Sequence, residues 1–164
     1  MDALTAIAAR HSTRSYGTRP VPKEILEQLV DAGRRAPTAR NEQPWEFVVV
    51  TRPGTRQRIA ELADYGKFIA QAPACVAVFA KDTKYYLEDG AAATQNLLVA
   101  ATALGVQSCW VAGDKKSYCG AIADLLGVPR AYNLVSLVAL GYAEKPGKPT
   151  PKRDLNKVLH WEQF

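Results

Sequence analysis

The stretch from residue 84 to residue 104 constrains the fold more than any other part of the chain. It reads KYYLEDGAAATQNLLVAATAL and predicts a long helix, because most of its residues are good helix formers. From Gly90 to Leu104 it is apolar almost all round, and a helix of that kind is buried on most faces. In a chain of 164 residues, part of that burial could come from a second subunit.

Four apolar runs enriched in strand-forming residues predict buried β-strands at 46–51, 74–80, 106–113 and 133–142. Helical periodicity and capping signals predict further helices at 2–10, from Pro22 onward, at 55–63, at 66–71 and at 116–126. Pro53 and Gly54 are expected to close the first strand, and Gly127 is expected to end the last of these helices. The chain has no internal repeat and no long linker, so residues 1–164 are predicted to form one domain.

Composition narrows the classes of protein and of ligand. The chain has 21 basic and 16 acidic residues, and the scattered excess suits a small anionic ligand at least as well as a nucleic acid. Cys75, Cys109 and Cys119 lack CxxC spacing, so a reducing cytoplasm is expected and neither a zinc site nor a disulfide framework is. No secretory signal is expected, and no stretch reaches the roughly 20 apolar residues of a membrane span.

The composition changes sharply after Gly141. Residues 145–154, KPGKPTPKRD, are expected to be extended because of their prolines. Residues 155–164, LNKVLHWEQF, are amphipathic and end on aromatic side chains, so this arm is predicted to dock on its own domain or on a partner. Lys152 and Arg153 lie in the stiff part of the arm, where they could bind an anion or form a solvated basic tail.

The run RHSTRS at 10–15 is the first candidate binding motif. If it is extended, Arg10, Ser12 and Arg14 project to one face, and two guanidinium groups beside a hydroxyl suit a phosphate. The competing explanation is that basic residues often follow helix ends, where they complement the helix dipole. His11 and His160 could be general bases by residue type, but neither has a partner that the sequence reveals.

Motifs for other chemistries are missing from the sequence. The run GDKKSYCG lacks the spacing of a phosphate loop, and there is no GxGxxG after a strand, no GxSxG and no HExxH. The sequence therefore shows no nucleophile or acid–base pair, and an enzyme of this kind would rely on a cofactor for the chemistry.

Four stretches, taken in order, resemble the FMN-dependent nitroreductase family: RHSTRSY, APTARNEQPWEFVVV, AAATQNLLVAATALGVQSCWV and LGYAEKPGKPTPKRDL…HW. The resemblance covers about residues 5–162. It implies an α+β fold, a three-layer α/β/α sandwich with a central mixed, mostly antiparallel sheet. It also implies a homodimer with non-covalent FMN at the subunit interface and a C-terminal segment, about 145–164, that embraces the partner.

The same resemblance assigns cofactor-binding residues. Arg10 and Ser12 match the phosphate and ribityl-phosphate contacts, and Arg14 matches the cation at the flavin pyrimidine edge, where it would tune the flavin. His11 stands where many relatives have a second arginine. The loop that reaches the flavin from the other subunit is matched by Pro37, Thr38, Ala39 and Asn41. The strand end that passes the flavin ring is matched by Trp110, Val111, Ala112 and Gly113. The basic pair at the phosphate is matched by Lys152 and Arg153.

Three finer points follow from the resemblance. Gln43 is expected to order the loop, which Pro44 and Trp45 would hold against the strand behind it. A backbone N–H of Ala112 or Gly113 is expected to face flavin N5. Lys67 is a further candidate at the flavin edge.

The implied activity is a ping-pong, two-electron oxidoreductase. NADH or NADPH would be the donor, and a small flat acceptor such as a nitroaromatic or a quinone would be reduced without a dedicated catalytic residue or metal. The alternatives are a specialised member (a reductive dehalogenase, an enone reductase or a flavin-cleaving enzyme) and a non-catalytic FMN-binding protein. Neither a nucleic-acid partner nor a membrane is expected.

Overall fold

A computed structural model describes residues 1–145 and 147–164. The helices are α1 (Ala3–Ala9), α2 (Lys23–Gly33), α3 (Pro53–Leu62), α4 (Tyr86–Ala103) and α5 (Cys119–Leu126). The strands are β1 (Trp45–Val50), β2 (Ala74–Lys81), β3 (Gln107–Ala112) and β4 (Tyr132–Gly141). Short 3₁₀ turns lie at Ala39–Asn41, Lys67–Ala70 and Leu155–Lys157.

Local capping explains where several helices begin and end. The Asp2 carboxylate accepts the Thr5 N–H at 3.0 Å and so caps α1. Gly127 ends α5 in the left-handed conformation at φ 69°, as its position predicts. The predicted role of Pro53 is wrong: it opens α3 at the first turn, where its missing N–H costs nothing, and does not close β1.

The second error concerns the start of α5, which begins at Cys119 and not near residue 116. Residues 114 and 115 form a turn, and Lys115 has a φ of 62°, which a helix does not allow. The chain therefore needs several residues after β3 to reverse before it can begin this helix.

The sheet has the strand order β1-β2-β4-β3, and each neighbouring pair is antiparallel. A parallel bridge joins Ser12 to Ser108 on the outer side of β3, so the whole sheet is mixed but mostly antiparallel, as predicted. β1 and β3 are the two edge strands, and β2 and β4 lie between them.

Alternating side chains of β2 face two separate helical layers. Phe79 packs with α3 and α5 on one side, whereas Val78 packs with α2 and α4 on the other. Both side chains are fully buried, and each such burial contributes about 1.5–3 kcal/mol. The predicted three-layer α/β/α sandwich is therefore confirmed.

The long helix α4 is present but is buried on one side only within this chain. Leu97 and Ala101 face the sheet without exposure, and Gly90 lets the helix approach β4, because a Cβ there would lie 2.6 Å from a Val135 methyl group. Gln95 is exposed on the other side. Within residues 1–145 and 147–164, no helix has the length and apolarity that a bilayer crossing requires.

After Gly147, which lies against His11, the C-terminal arm does not pack on its own domain. Residues 147–164 are all exposed, and Trp161 keeps 79% of its surface in contact with solvent. His160 and Phe164 stack on each other at 4.4 Å, within the arm itself. Docking on the arm's own domain, one of the two predicted possibilities, is therefore wrong.

Candidate functional site

The outer edge of β3 is the framework of the first candidate site. Gly113 donates its N–H to Val135 O at 3.1 Å, and the direction of backbone groups alternates along an antiparallel strand. Trp110 and Ala112 therefore turn their backbone groups away from β4, toward the free edge. The contacts on that side agree, since Tyr118 Oη donates to Ala112 O.

This alternation distinguishes the backbone amides of Ala112 and Gly113, either of which the sequence analysis allowed to face flavin N5. The Gly113 N–H is already bonded to β4, so only the Ala112 N–H faces the free edge. Gly113 has a different task, because a Cβ there would lie 2.6 Å from Leu134 O. Its missing side chain lets the end of β3 lie directly against β4.

The segment from Arg10 to Tyr16 runs beside this edge. Thr13 is buried and donates its N–H to Ser108 O at 3.0 Å, while the Tyr16 hydroxyl donates to Thr13 O at 2.6 Å. Because residue 13 points inward, Ser12 and Arg14 on either side of it remain exposed. The main chain of this segment is thus held at several points while its polar side chains stay available.

The charges of Arg14 and Arg10 and the hydroxyl of Ser12 act on the pKa of one group, the thiol of Cys109. Burial raises the pKa of this thiol, and the Arg14 charge, a hydrogen bond with Ser12 and the Arg10 charge act against that rise. Ser12 and Arg14 are exposed on either side of the buried Thr13, and Arg10 is half-buried. A buried thiol with a raised pKa stays protonated near neutral pH, so Cys109 is a wall of the site and not a nucleophile.

A cavity of about 390 Å³ opens next to Arg14 and runs along β3. One wall is the end of β3, with Cys109, Trp110, Val111 and Ala112. The other walls are the aromatic side chains of Tyr65, Phe68 and Tyr118, which lie outside β3. Arg14 and Lys116 are its charged lining residues, and no carboxylate lines it among the described residues. The cavity is therefore apolar in its walls and positive at its rim.

Two predicted residues lie elsewhere. His11 lines a small cavity with Thr102 of α4, its Nδ1 lies 3.0 Å from Ala9 O at the end of α1, and its buried Nε2 lies beside Gly147. Lys67 donates to Glu61 O at 3.0 Å and so caps the end of α3.

The second candidate site is the loop from Pro37 to Gln43. Pro37, Thr38 and Ala39 line a shallow groove of about 310 Å³ against the start of α4. Within the described part of the chain, no residue lines both this groove and the β3 cavity. One chain therefore presents two separate candidate surfaces, which are named half-sites because the family resemblance predicts that a dimer combines them.

The backbone of this loop is unusual. Arg40, Asn41 and Gln43 have φ angles of 55°, 57° and 47°, in the left-handed region that costs a residue other than glycine roughly 1–2 kcal/mol. The Gln43 side-chain amide donates to Asn41 O at 3.5 Å, and the Gln43 backbone N–H donates to Thr38 Oγ1 at 3.1 Å. These contacts agree with the predicted role of Gln43 in ordering the loop.

Comparison with known proteins places the chain in a family. The model of the Nitroreductase family matches residues 7–84 and 64–142, which together span both half-sites. The chain belongs to the nitroreductase family. A provisionally named NADH dehydrogenase/NAD(P)H nitroreductase from Archaeoglobus fulgidus is 35% identical over 86% of this chain and 85% of its own length.

Solved structures agree with this placement. A protein from Bacteroides thetaiotaomicron with the same provisional name has a TM-score of 0.94 at 29% identity, covering 99% of this chain and 98% of that one. An FMN-dependent nitroreductase from Clostridium difficile has a TM-score of 0.92 at 26% identity, covering 98% and 99%. The sequence-based recognition of the nitroreductase family is confirmed.

Lys152 and Arg153 occupy the exposed arm of this nitroreductase-family chain. Arg153 donates to Lys157 O at 2.7 Å, within the arm. The arm begins close to the first half-site, since residue 143 pairs with Tyr16 and Gly147 lies against His11. The assignment of Lys152 and Arg153 to a phosphate remains a proposal.

Several residues of the two half-sites were not predicted. Tyr65, Phe68, Lys116 and Tyr118 complete the cavity from segments without a recognisable motif. Asp89 is the residue that a closer look at the sequence could have found. A carboxylate directly before the apolar run GAAA is out of place on a helix that should be buried.

Proposed function

We propose that this chain is an FMN-dependent NAD(P)H oxidoreductase that reduces nitroaromatic or quinone-like acceptors in two-electron steps. The observation that carries the proposal is the β3 cavity, where Arg14 and the Ala112 edge amide meet apolar walls beside Arg10 and Ser12. Family membership and the FMN-dependent nitroreductase of similar structure support it.

The residues of the cavity and of the Arg10–Tyr16 segment beside it fit FMN by their chemistry. Arg10 and Ser12 offer charge-assisted donors for a phosphate, and the aromatic and aliphatic walls suit a flat ring. Bound FMN would supply the redox chemistry, taking a hydride equivalent from NADH or NADPH and passing two electrons to the acceptor.

The chain itself would bind, orient and tune the cofactor. Arg14 would place a positive charge at the ring edge, where it favours the more negatively charged reduced form. The Ala112 N–H would donate a hydrogen bond at the inner end of the cavity. No side chain of the site needs to transfer a proton, which agrees with the neutral thiol of Cys109.

The proposal includes a homodimer in which each cofactor lies between the β3 cavity of one subunit and the 37–43 loop of the other. The exposed arm supports this arrangement, because Trp161 and Phe164 have no apolar surroundings in a single chain. A groove of about 890 Å³ beside α2 and β1, lined by Leu26, Val30 and Val49 among others, would receive the arm of the partner. Each subunit would be one domain over residues 1–164, with its arm at about 145–164.

The test is an absorbance spectrum of the purified protein with FMN, followed by anaerobic addition of NADH and, separately, of NADPH. We expect the oxidised-flavin band to bleach with at least one donor and to return when menadione or nitrofurazone is added. A bound flavin that ignores both donors would indicate a non-catalytic FMN-binding protein. Failure to bind FMN at all would overturn the proposal.

A further inference from the structure

We propose that Asp89 is a positioning residue for the cofactor site, acting through Thr38 to hold the 37–43 loop in its binding conformation. This inference rests on the proposed function, and it changes the role of Thr38. Thr38 becomes an organiser of the loop, not a donor to the cofactor. Asn41, whose side chain is exposed, remains the loop residue that we propose to meet it.

The hydrogen bonds of Asp89 carry the first step. Thr38 Oγ1 donates to one carboxylate oxygen at 2.8 Å, and the Ala39 N–H approaches the other at 3.3 Å. Asp89 is only 5% exposed, so these bonds form where water competes little. A single carboxylate thereby ties two consecutive loop residues to α4.

Thr38 passes this restraint on to the far end of the loop. Its hydroxyl gives its one proton to Asp89 and accepts the Gln43 N–H at 3.1 Å. The proton of this hydroxyl is therefore already used, and Thr38 has no donor left for a ligand. The chain of contacts Asp89–Thr38–Gln43 closes the loop around the left-handed residues Arg40 and Asn41.

A competing explanation is that Asp89 merely complements the dipole at the start of α4, as acidic residues in a first turn often do. The contacts distinguish the two explanations. The Asp89 N–H is bonded to Tyr85 O within the helix, while its carboxylate bonds to the loop about 50 residues away in sequence. A residue that served only the helix would not need Thr38.

The test compares Asp89→Ala, Asp89→Asn, Thr38→Val and the double variant Asp89→Ala/Thr38→Val. We expect Asp89→Ala to raise the FMN dissociation constant about tenfold, and Asp89→Asn to stay within about twofold of wild type, because an amide can bond both loop groups. In the double variant the two effects should combine to less than their product, since both single changes remove the same Thr38–Asp89 bond.

Thr94→Ala is the matched control. Thr94 is fully buried on the same helix, but its hydroxyl bonds Gly90 O and Ser136 Oγ inside the core. This control should lower the melting temperature without changing the FMN dissociation constant. If Asp89→Ala behaves in the same way, or if the effects of Asp89→Ala and Thr38→Val multiply, the inference is overturned.

Amide hydrogen exchange of the apoprotein provides a readout that does not need FMN. Asp89→Ala should increase the exchange of the Ala39 and Gln43 amides, and Asp89→Asn should restore their protection. Unchanged exchange in Asp89→Ala would overturn the inference even in an active enzyme. Wild-type protein that shows the protection but binds no FMN would overturn the proposed function instead.

Discussion

The two half-sites of this chain are built in opposite ways. The β3 half-site consists of a strand edge and the Arg10–Tyr16 segment, whose main chain is bonded to the sheet and backed by a buried core. The 37–43 loop is a short 3₁₀ turn with three left-handed residues, held by one buried carboxylate from α4. One half-site is a fixed framework, and the other depends on a few side-chain bonds.

This difference has a consequence for how the site works. A strand edge offers main-chain donors whose positions cannot shift without breaking the sheet, which suits the ring of a cofactor. A loop held by side chains can differ between relatives at little cost to the fold. We therefore expect changes in the β3 framework to act on folding, changes at Arg14 to act on redox tuning, and changes at Arg10 or in the loop to act on binding.

The largest effect should come from removing residues 145–164. In the proposed homodimer the arm holds the half-sites of different subunits together, so its removal should raise the FMN dissociation constant by about a hundredfold or more. Size-exclusion chromatography should show a monomer. A truncated protein that stays dimeric and binds FMN as well as the full chain would show that the arm is needed neither for dimerisation nor for the cofactor site.

Gly113→Ala tests how rigid the β3 half-site is. The new Cβ would lie 2.6 Å from Leu134 O, so the variant should lose about 2 kcal/mol of unfolding free energy in urea titrations of the apoprotein. Gly120→Ala is the control, since its Cβ would have nothing within 4 Å and the position is helical. Equal stability of the two variants would mean that β3 adjusts more easily than its contacts indicate.

Subunit complementation tests whether the half-sites come from different chains. Arg10→Ala removes a proposed phosphate contact and Asn41→Ala a loop contact, and each homodimer should lose about tenfold or more in activity at limiting FMN. A heterodimer purified with two different tags combines both defects in one site and leaves the other intact, so about half of wild-type activity should return. No recovery would place both half-sites of one cofactor in the same subunit.

Arg14→Ala should have the smallest effect on binding and a larger one on chemistry. We expect NADH-driven bleaching of the flavin to slow about tenfold while the FMN dissociation constant changes less than about threefold. Arg14→Lys keeps the charge and should recover most of the rate. Equal losses in rate and in binding would show that Arg14 holds the cofactor and does not tune it.

Local patterns in the sequence were sufficient for much of the fold, and they supplied the prediction for the β3 half-site. The apolar runs predicted all four strands. The reason is clearest for the central strands β2 and β4, which are buried on both faces and therefore need apolar residues along most of their length. The alternation of Arg10, Ser12 and Arg14 predicted that they share a face, because an extended chain has a period of two residues.

What the tertiary structure alone decided concerns partners that are distant in the sequence. Asp89 reaches Thr38 only because α4 packs beside the loop, and no local period relates positions 51 residues apart. By sequence, the Gly113 N–H and the Ala112 N–H were equal candidates to face the flavin. The bond from the Gly113 N–H to Val135 O showed that Gly113 faces β4 and that Ala112 faces the free edge. Likewise, the aromatic end of the arm predicted that it docks, but only the packed domain showed that its own chain leaves Trp161 exposed. Periodicity determines which side of an element a residue occupies, whereas the partner on that side is determined by how the elements pack.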